Sequence, residues 1–490
     1  MNTLDAGFYF VEHQNVPMHI GSLAVFEGPA PSYEELLRLY AAKLPLVPRY
    51  RQVVKTMPLQ VFRPFWADDT HFELRYHLRH AGVPPPGSSR MLQEMASRIF
   101  AQKLDRARPL WESWFLEGLE GDRWAIISKV HHCMVDGIGG SDLMAALFDL
   151  VPEAAQPVPL PWEPEPGPSL ADVVAGGALD TMIWPARQLA DLPGFVRRRL
   201  HTPADLMRYG RGLGGSARRL VTRSASSLNG PISPHRRWTW TTASLDDVKK
   251  IRRALDVTVN DVLLAMITSG FRDLLTARRE LEEGVVVRSL VPVSLRGEDE
   301  HRPVSNRVSA MLANLPVAEP SPVRRLDLIH AQMEDLKRTS QAVGAEFLTE
   351  VLGVGFAAPA LLALGSRAAF RIPQPLVQTV TTNVPGPRFP LYIAGRKMTE
   401  LYPYVPIGDN LRIGIAIFSY LELFSFGVTA DYSAVPESDL GILTEGIGRG
   451  LPDLLERVKP PVQARPRPSP KPRGAASAAS GRRRTKRTGG

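Results

Sequence analysis

The chain has very little cysteine. Its 490 residues include a single cysteine, Cys133. One thiol cannot form a disulfide within the chain, and it excludes a cysteine-rich metal site. The simplest interpretation is a reducing, cytoplasmic location.

Long apolar runs are also missing. The most apolar uncharged stretch, 351–366, has sixteen residues, fewer than the roughly 20 that a membrane-spanning helix needs. It is therefore expected to be a buried core helix, the lining of an apolar tunnel or a helix lying at a membrane surface. The first residues lack a basic region followed by an apolar core, so no signal peptide is predicted.

Acidic residues are absent from the C-terminal end of the chain. Ten Lys and Arg residues follow Val458, whereas the last acid is Glu456. Removing these ten positive charges from the net charge of +9 leaves the rest of the chain near −1. The basicity is therefore a property of the tail, and it does not indicate nucleic-acid binding. The composition of the tail, rich in Pro, Ala, Ser and Arg, predicts disorder.

The length exceeds what one hydrophobic core usually supports, so two folded domains are expected. We predict a first domain at 1–151, a proline-rich linker with a basic helical segment at 152–234, a second domain at 235–458 and a disordered tail at 459–490. Both domains show alternating and helical apolar patterns, which predicts mixed α/β structure. The predicted elements are strands at Met18–Phe26, Trp114–Leu119, Trp124–Val130, Val285–Val293, Leu411–Phe418 and Leu423–Thr429, and helices at Tyr33–Leu44, Ser141–Leu150 and from Val259 onwards.

Two consecutive histidines end the second strand of the predicted hairpin. They begin the segment His131-His132-Cys133-Met134-Val135-Asp136-Gly137. Imidazole is the side chain best suited to proton transfer near neutral pH. The following aspartate and glycine predict a turn in which the carboxylate either folds back towards the ring or braces the loop that holds it. His132 is therefore the candidate general base, although a structural histidine at a strand end is the alternative for this motif alone.

Further segments give this motif its context. They are Pro109-Leu110-Trp111-Glu112, Asn229-Gly230-Pro231, Val259-Asn260-Asp261-Val262-Leu263-Leu264-Ala265, Pro292–Arg296, Thr382–Pro387 (expected to form a tight turn) and, near the start, Leu4-Asp5-Ala6 with Pro17–Gly21. In this order they resemble the bacterial wax ester synthase/diacylglycerol acyltransferase family over about residues 3–457. The resemblance implies an α/β fold of two chloramphenicol-acetyltransferase-like subdomains with the active site in a tunnel at their interface.

The resemblance also implies roles for individual residues. His132 is the general base, and His131 supports it from the other side of the strand. Asp136 orients the loop, with Arg296 as the best candidate for its salt-bridge partner. Gly137 completes the motif.

Three other positions have alternatives that the sequence leaves open. Asn260, at a helix start, stabilises the oxyanion or positions the acceptor, or is a plain N-cap. Trp111 is expected to pack beneath the hairpin as structural support, and contact with substrate is the alternative. Cys133 is expected to fill space; a nucleophilic role would require an acyl-enzyme.

The expected activity is transfer of a long-chain acyl group from acyl-CoA to the hydroxyl of diacylglycerol, and of fatty alcohols as well, without an acyl-enzyme. Acyl-CoA is a co-substrate, and no metal or other cofactor is required. Contact with an anionic membrane or lipid-droplet surface from the cytoplasmic side is expected, because acceptor and product are lipids. Two alternatives remain: a condensation-type enzyme with another hydroxyl or amine acceptor, and a non-catalytic lipid-binding protein.

Overall fold

The computed structural model describes residues 1, 3–57, 63–134, 146–153, 158, 161–168, 223–294, 308–336 and 376–458. The chain divides into two units, Met1–Val458 and Lys459–Gly490. The second unit, the basic tail, lies outside the described residues. The elements below therefore all belong to the first unit.

The first unit combines strands and helices in both halves. In the described ranges the strands are β1 (His19–Glu27), β2 (Gln52–Lys55), β3 (Phe65–Asp68), β4 (Leu78–Gly82), β5 (Trp111–Leu119), β6 (Arg123–His131), β7 (Arg236–Ser244), β8 (Val287–Ser294), β9 (Val308–Leu315), β10 (Thr379–Val384), β11 (Tyr392–Ile393), β12 (Arg396–Tyr404), β13 (Ile413–Tyr420) and β14 (Leu423–Asp431). The helices are α1 (Thr3–Val11), α2 (Tyr33–Lys43), α3 (Leu74–His77), α4 (Ser89–Ala101), α5 (Leu245–Leu255), α6 (Val259–Ala277), α7 (322–336) and α8 (Glu437–Leu455).

The first sheet carries the histidine motif. Its strand order is β11-β12-β1-β6-β5-β4, with β4 and β5 parallel and the other neighbours antiparallel. The predicted hairpin is confirmed, since β5 and β6 are joined at Glu120-Gly121-Asp122. Gly121 and Asp122 have positive φ values of 78° and 51°, which a tight hairpin turn favours.

The second sheet has the order β7-β14-β13-β10-β8-β9. Strand β10 runs parallel to both β13 and β8. The segment Thr382–Pro387 is not all turn, because Thr382–Val384 are the end of β10. Only Pro385 to Pro387 leave the sheet, and the Gly386 N–H donates to Ser419 Oγ at 3.0 Å.

The two halves share a sheet. Strands β11 and β12 come from the C-terminal half, yet they complete the first sheet beside β1. The register pairs Gly21 with Tyr404 and Ala24 with Leu401. The fold class, an α/β structure with two sheet-containing halves, is the one that the sequence predicts. The domain boundaries at 151, 234 and 458 stay a prediction.

Helices α6 and α8 pack closely in the C-terminal half. A Cβ atom on Gly270 of α6 would lie 2.5 Å from the Leu443 carbonyl oxygen and 2.6 Å from Ile447 Cγ1, so glycine permits the approach. Within the described ranges, no single helix has the length and apolarity to cross a membrane. The consecutive pair α5 and α6 meets those criteria only when taken together, and the two are bent by 107°. The stretch 351–366 lies outside the described residues, as does the first half of the predicted helix at Ser141–Leu150. The second half of that prediction is wrong beyond Leu147, because Asp149 instead forms an antiparallel bridge with Tyr392.

Candidate active site

The histidine motif begins where β6 ends. His131 is the last residue of β6 and pairs with His19 of β1. Its N–H donates to the Leu110 carbonyl at 2.9 Å, and the next N–H, of His132, donates to the Met18 carbonyl at 2.8 Å. The chain then enters a short 3₁₀ turn at His132–Met134. Backbone hydrogen bonds to the neighbouring segments on both sides therefore fix the position of the backbone that carries the two imidazoles.

The two rings have different surroundings, as alternation along a strand predicts. His131 is fully buried, with Nε2 at 3.4 Å from Glu12 Oε2. His132 stacks on Phe8 of α1, with ring centroids 3.9 Å apart and an interplanar angle of 29°. As a whole residue His132 is partly exposed. Of the two histidines, it is the one with part of its surface exposed.

The environment of His132 favours its neutral form. Its Nδ1 is buried and has no hydrogen-bond partner from another residue in the described part of the chain. Burial, with a smaller contribution from neighbouring His131, lowers its pKa to about 4, and a contact with its own backbone opposes the shift. At neutral pH the ring is therefore uncharged and able to accept a proton.

His131 has a defined tautomer. Its Nδ1 accepts the backbone N–H of Cys133 at 3.1 Å. An imidazole nitrogen that accepts a hydrogen bond carries no proton, so the ring proton is on Nε2. That nitrogen faces Glu12, in an electrostatic contact rather than an aligned hydrogen bond. His131 therefore supports the motif and is not placed to transfer a proton to substrate.

Cys133 lies deep in the N-terminal core. It is 3% exposed, and burial raises the pKa of its thiol, with Asp5 and Glu12 adding to the shift. The thiolate is the nucleophilic form of cysteine. The structure therefore favours the space-filling role of Cys133 over nucleophilic catalysis.

Trp111 begins β5 and is buried in the N-terminal core. Its Nε1 donates to the Tyr50 carbonyl at 2.7 Å. The His77 ring stacks on it at 4.7 Å, and His77 Nδ1 lies 2.8 Å from the Trp111 carbonyl oxygen. These contacts fit the predicted structural role.

Asn260 is the second residue of α6 and is partly exposed. The N-cap interpretation of Asn260 is wrong, because Thr258 caps this helix and forms a capping box with Asp261. Asp261 is buried, and its Oδ2 accepts the Thr258 N–H at 2.9 Å and lies 2.7 Å from His330 Nδ1. Asn260 is thus left without a capping task at a helix N-terminus.

Three predicted site residues, Asp136, Gly137 and Arg296, lie outside the described residues, and the pairing of Asp136 with Arg296 stays a prediction. No cluster of three or more His, Cys, Asp or Glu side chains suited to hold a metal occurs in the described ranges.

Sequence reasoning missed three residues near the motif or the start of α6. Phe8 and Glu12 contact the two histidines, and His330 contacts Asp261. The only available signal was the four-residue spacing of Phe8 and Glu12, which would place both on one side of a helix if it continued to Glu12; in the structure α1 ends at Val11. His330 is 69 residues from its partner, and no local pattern reveals such a contact.

Comparison with known proteins places this geometry in a family. The wax ester synthase/diacylglycerol acyltransferase catalytic domain matches residues 1–263, and the C-terminal domain of that family matches residues 304–450. A probable diacylglycerol O-acyltransferase of Mycobacterium tuberculosis is 38% identical over 452 residues, covering 91% of this chain and 94% of the relative. The O-acyltransferase WSD of Acinetobacter baylyi is 30% identical over 451 residues, covering 89% of this chain and 93% of the relative.

Solved structures agree on the fold. The wax ester synthase/diacylglycerol acyltransferase of Marinobacter aquaeolei VT8 superimposes with a TM-score of 0.65 at 24% identity, over 93% of this chain and 98% of that one. The starter condensation domain of rhizomide synthetase, solved in complex with C8-CoA and Leu-SNAC, gives a TM-score of 0.54 at 14% identity, over 93% of each chain. With the fold, the sequence matches and the histidine motif in agreement, the chain belongs to the wax ester synthase/diacylglycerol acyltransferase family.

Proposed function

We propose that this enzyme transfers a long-chain acyl group from acyl-CoA to the hydroxyl of diacylglycerol, and also to fatty alcohols. The observation that carries the proposal is His132, a neutral and partly exposed imidazole at the end of β6 in the matched catalytic domain. The relatives named as diacylglycerol O-acyltransferase and O-acyltransferase WSD support the choice of hydroxyl acceptors.

The proposed reaction is direct. His132 takes the proton of the acceptor hydroxyl while the oxygen attacks the thioester carbonyl carbon. The tetrahedral oxyanion collapses, the carbon–sulfur bond breaks, and CoA leaves as a thiolate that collects the proton from the imidazolium. The products are an ester and CoA with a free thiol. The buried, neutral thiol of Cys133 supports this scheme over an acyl-enzyme.

Asn260 is proposed to act on the oxyanion or on the acceptor. It lies in the first turn of α6, where the free N–H groups and the positive end of the helix dipole favour developing negative charge. Thr258 and Asp261 already satisfy the capping requirement of this helix, so the Asn260 amide is available for substrate. Asp136 is proposed to hold the motif loop through Arg296.

Acyl-CoA is proposed as the donor, with no further cofactor. A condensation domain of the same fold has been solved with C8-CoA, which supports a CoA thioester site in this architecture. Diacylglycerol and the ester product reside in lipid phases, so peripheral contact with an anionic membrane or droplet surface on the cytoplasmic side is part of the proposal. The ten basic residues after Val458 would each add about 1 kcal/mol of attraction near anionic lipid.

Product analysis tests the activity. The purified enzyme is given one long-chain acyl-CoA with diacylglycerol and hexadecanol in competition, while CoA thiol release and the ester products are measured. We expect thiol release that depends on an acceptor, with triacylglycerol or wax ester formed in equal molar amount. Release without ester would contradict transfer to these acceptors.

Equal binding of the full chain and of a chain ending at Val458 to anionic vesicles at low salt would contradict the role of the tail.

A further inference from the structure

We propose that Glu12 is a positioning residue for the reaction: its buried carboxylate holds the His131–His132 element in its working geometry. This inference rests on the proposed function of His132. It follows from four contacts that converge on one short segment, and it concerns a residue that has no part in the proton transfer itself.

Helix α1 contacts both histidines. Phe8 lies on α1, and Glu12 follows one turn later, directly after the helix ends at Val11. Residues four apart face the same side of a helix. Phe8 stacks on the His132 ring at 3.9 Å, while the Glu12 carboxylate lies 3.4 Å from His131 Nε2. The two rings are thus held by α1 and by the residue that directly follows its end.

Glu12 also fixes the backbone that holds His132. Its Oε2 accepts the Met18 N–H at 3.0 Å. The carbonyl of the same residue, Met18, accepts the His132 N–H at 2.8 Å. One carboxylate oxygen therefore braces the strand β1 side of the motif and faces the His131 ring. Loss of the carboxylate would free both supports together.

The charge of Glu12 matches the tautomer of His131. Burial alone would raise the Glu12 pKa, but His131, the Met18 N–H and Arg106 together bring this pKa below its ordinary value, so the carboxylate is ionised. His131 Nδ1 accepts the Cys133 N–H, so its proton faces the carboxylate. Arg106 Nε lies 3.9 Å from Glu12 Oε1, and the guanidinium stacks over Tyr9 at 3.6 Å.

A buried carboxylate is costly unless charged or hydrogen-bonding partners compensate it. The side chain of Glu12 is 1% exposed. Its partners belong to the motif and to the chain around it, and not to a distant part of the core. Glu12 therefore acts as an orienting acid. It holds the His131 ring, and through this neighbour it helps to fix the ring of the proposed base, His132.

The test compares Glu12 with a second buried carboxylate of the N-terminal half, Glu112 of β5. Glu112 is 4% exposed and is held by Arg79 at 3.2 Å and Lys129 at 3.5 Å. The variants are Glu12→Ala, Glu12→Asp and Glu112→Ala in the full chain. The readouts are kcat, the KM for acyl-CoA, the thermal midpoint and the ¹⁵N signals of the histidine rings. We expect Glu12→Ala to lower kcat by about 10- to 100-fold with KM changed less than about twofold.

We expect three further results. Glu12→Asp recovers part of kcat, because it restores the charge with a shorter reach. Glu112→Ala lowers the thermal midpoint as much as Glu12→Ala, yet keeps kcat per folded molecule. The ring signals of His131 and His132 shift and broaden in Glu12→Ala and not in Glu112→Ala.

Two results would overturn the inference. One is a Glu12→Ala enzyme with wild-type kcat and unchanged ring signals. The other is a loss of kcat that Glu112→Ala reproduces in proportion to lost folded protein. Absence of CoA release from the wild type would refute the proposed function instead, and the ring signals would still decide the role of Glu12.

Discussion

Each half of the molecule contains a buried acid in contact with a histidine. The two pairs differ in how far the histidine is exposed to solvent. In the N-terminal half, Glu12 and His131 lie 3.4 Å apart with side chains 1% and 0% exposed. In the C-terminal half, Asp261 and His330 lie 2.7 Å apart, but the His330 side chain is 27% exposed. The shorter contact is thus the more accessible one.

The difference follows from what each pair holds. Asp261 closes a capping box at the start of α6, and His330 of α7 covers it from the surface. Glu12 instead accepts the N–H of Met18, whose carbonyl in turn accepts the N–H of the neutral His132. The first pair adjoins the proposed base, whereas the second pair anchors a helix end. We therefore expect the first pair to govern rate and the second to govern stability.

The largest effect is expected at the proposed base. His132→Ala should lower kcat by about 10² to 10⁴ because proton removal from the hydroxyl loses its acceptor. CoA release with diacylglycerol measures it. His330→Ala is the control from the C-terminal pair and should keep kcat within about tenfold of the wild type. Comparable losses in the two variants would contradict the division between rate and stability.

The acid of the C-terminal pair should matter next. Asp261→Ala removes the acceptor of the Thr258 N–H and of His330 together, so we expect a loss of about 2 to 3 kcal/mol in the free energy of unfolding. Urea unfolding measures it. His330→Ala, which leaves the capping box intact, should cost less. A larger loss in His330→Ala would show that the exposed contact, and not the cap, anchors α6.

Lowering the pH should destabilise the N-terminal half before the C-terminal half. Burial lowers the pKa of His132 and of His77 to about 4 and that of His19 well below its ordinary value. Between about pH 6.5 and 4 these histidines bind protons in the unfolded chain but stay unprotonated in the folded chain. Stability should therefore be complete above about pH 6.5 and fall as the pH drops towards 4, by up to about 1.4 kcal/mol per pH unit for each histidine.

Urea midpoints from pH 7 to 4.5 measure this slope, and His77→Gln should reduce it. A slope that His77→Gln leaves unchanged would contradict the assignment to buried neutral histidines. In the same pH range kcat of the folded enzyme should stay nearly constant, since His132 remains unprotonated until about pH 4.

Local patterns predicted the elements and the motif well. The hairpin that delivers His132, the strands β8, β13 and β14, and the helix beginning at Val259 follow from apolar periodicity and turn residues. These features depend on residues close together in sequence. The family resemblance added the two-sheet architecture.

Contacts between distant segments were beyond such patterns. Glu12 precedes β1 and contacts His131 at the end of β6, the strand that pairs with β1, and β12 joins the first sheet from the far half of the chain. The N-cap of α6 shows a different limit. Asn260 and Thr258 are both good capping residues, and only the backbone decides that Thr258 takes the position.

The smallest effect is expected at that cap. Thr258 Oγ1 accepts the Asp261 N–H at 3.2 Å, and Thr258→Ala should cost about 1 kcal/mol of stability, as for other N-caps. Thr258→Ser keeps the hydroxyl and is the matched control. Asn260→Ala should leave the free energy of unfolding nearly unchanged, because the cap does not use its amide, but it should lower kcat. If Asn260→Ala instead cost as much stability as Thr258→Ala and spared kcat, Asn260 would belong to the helix end and not to the reaction.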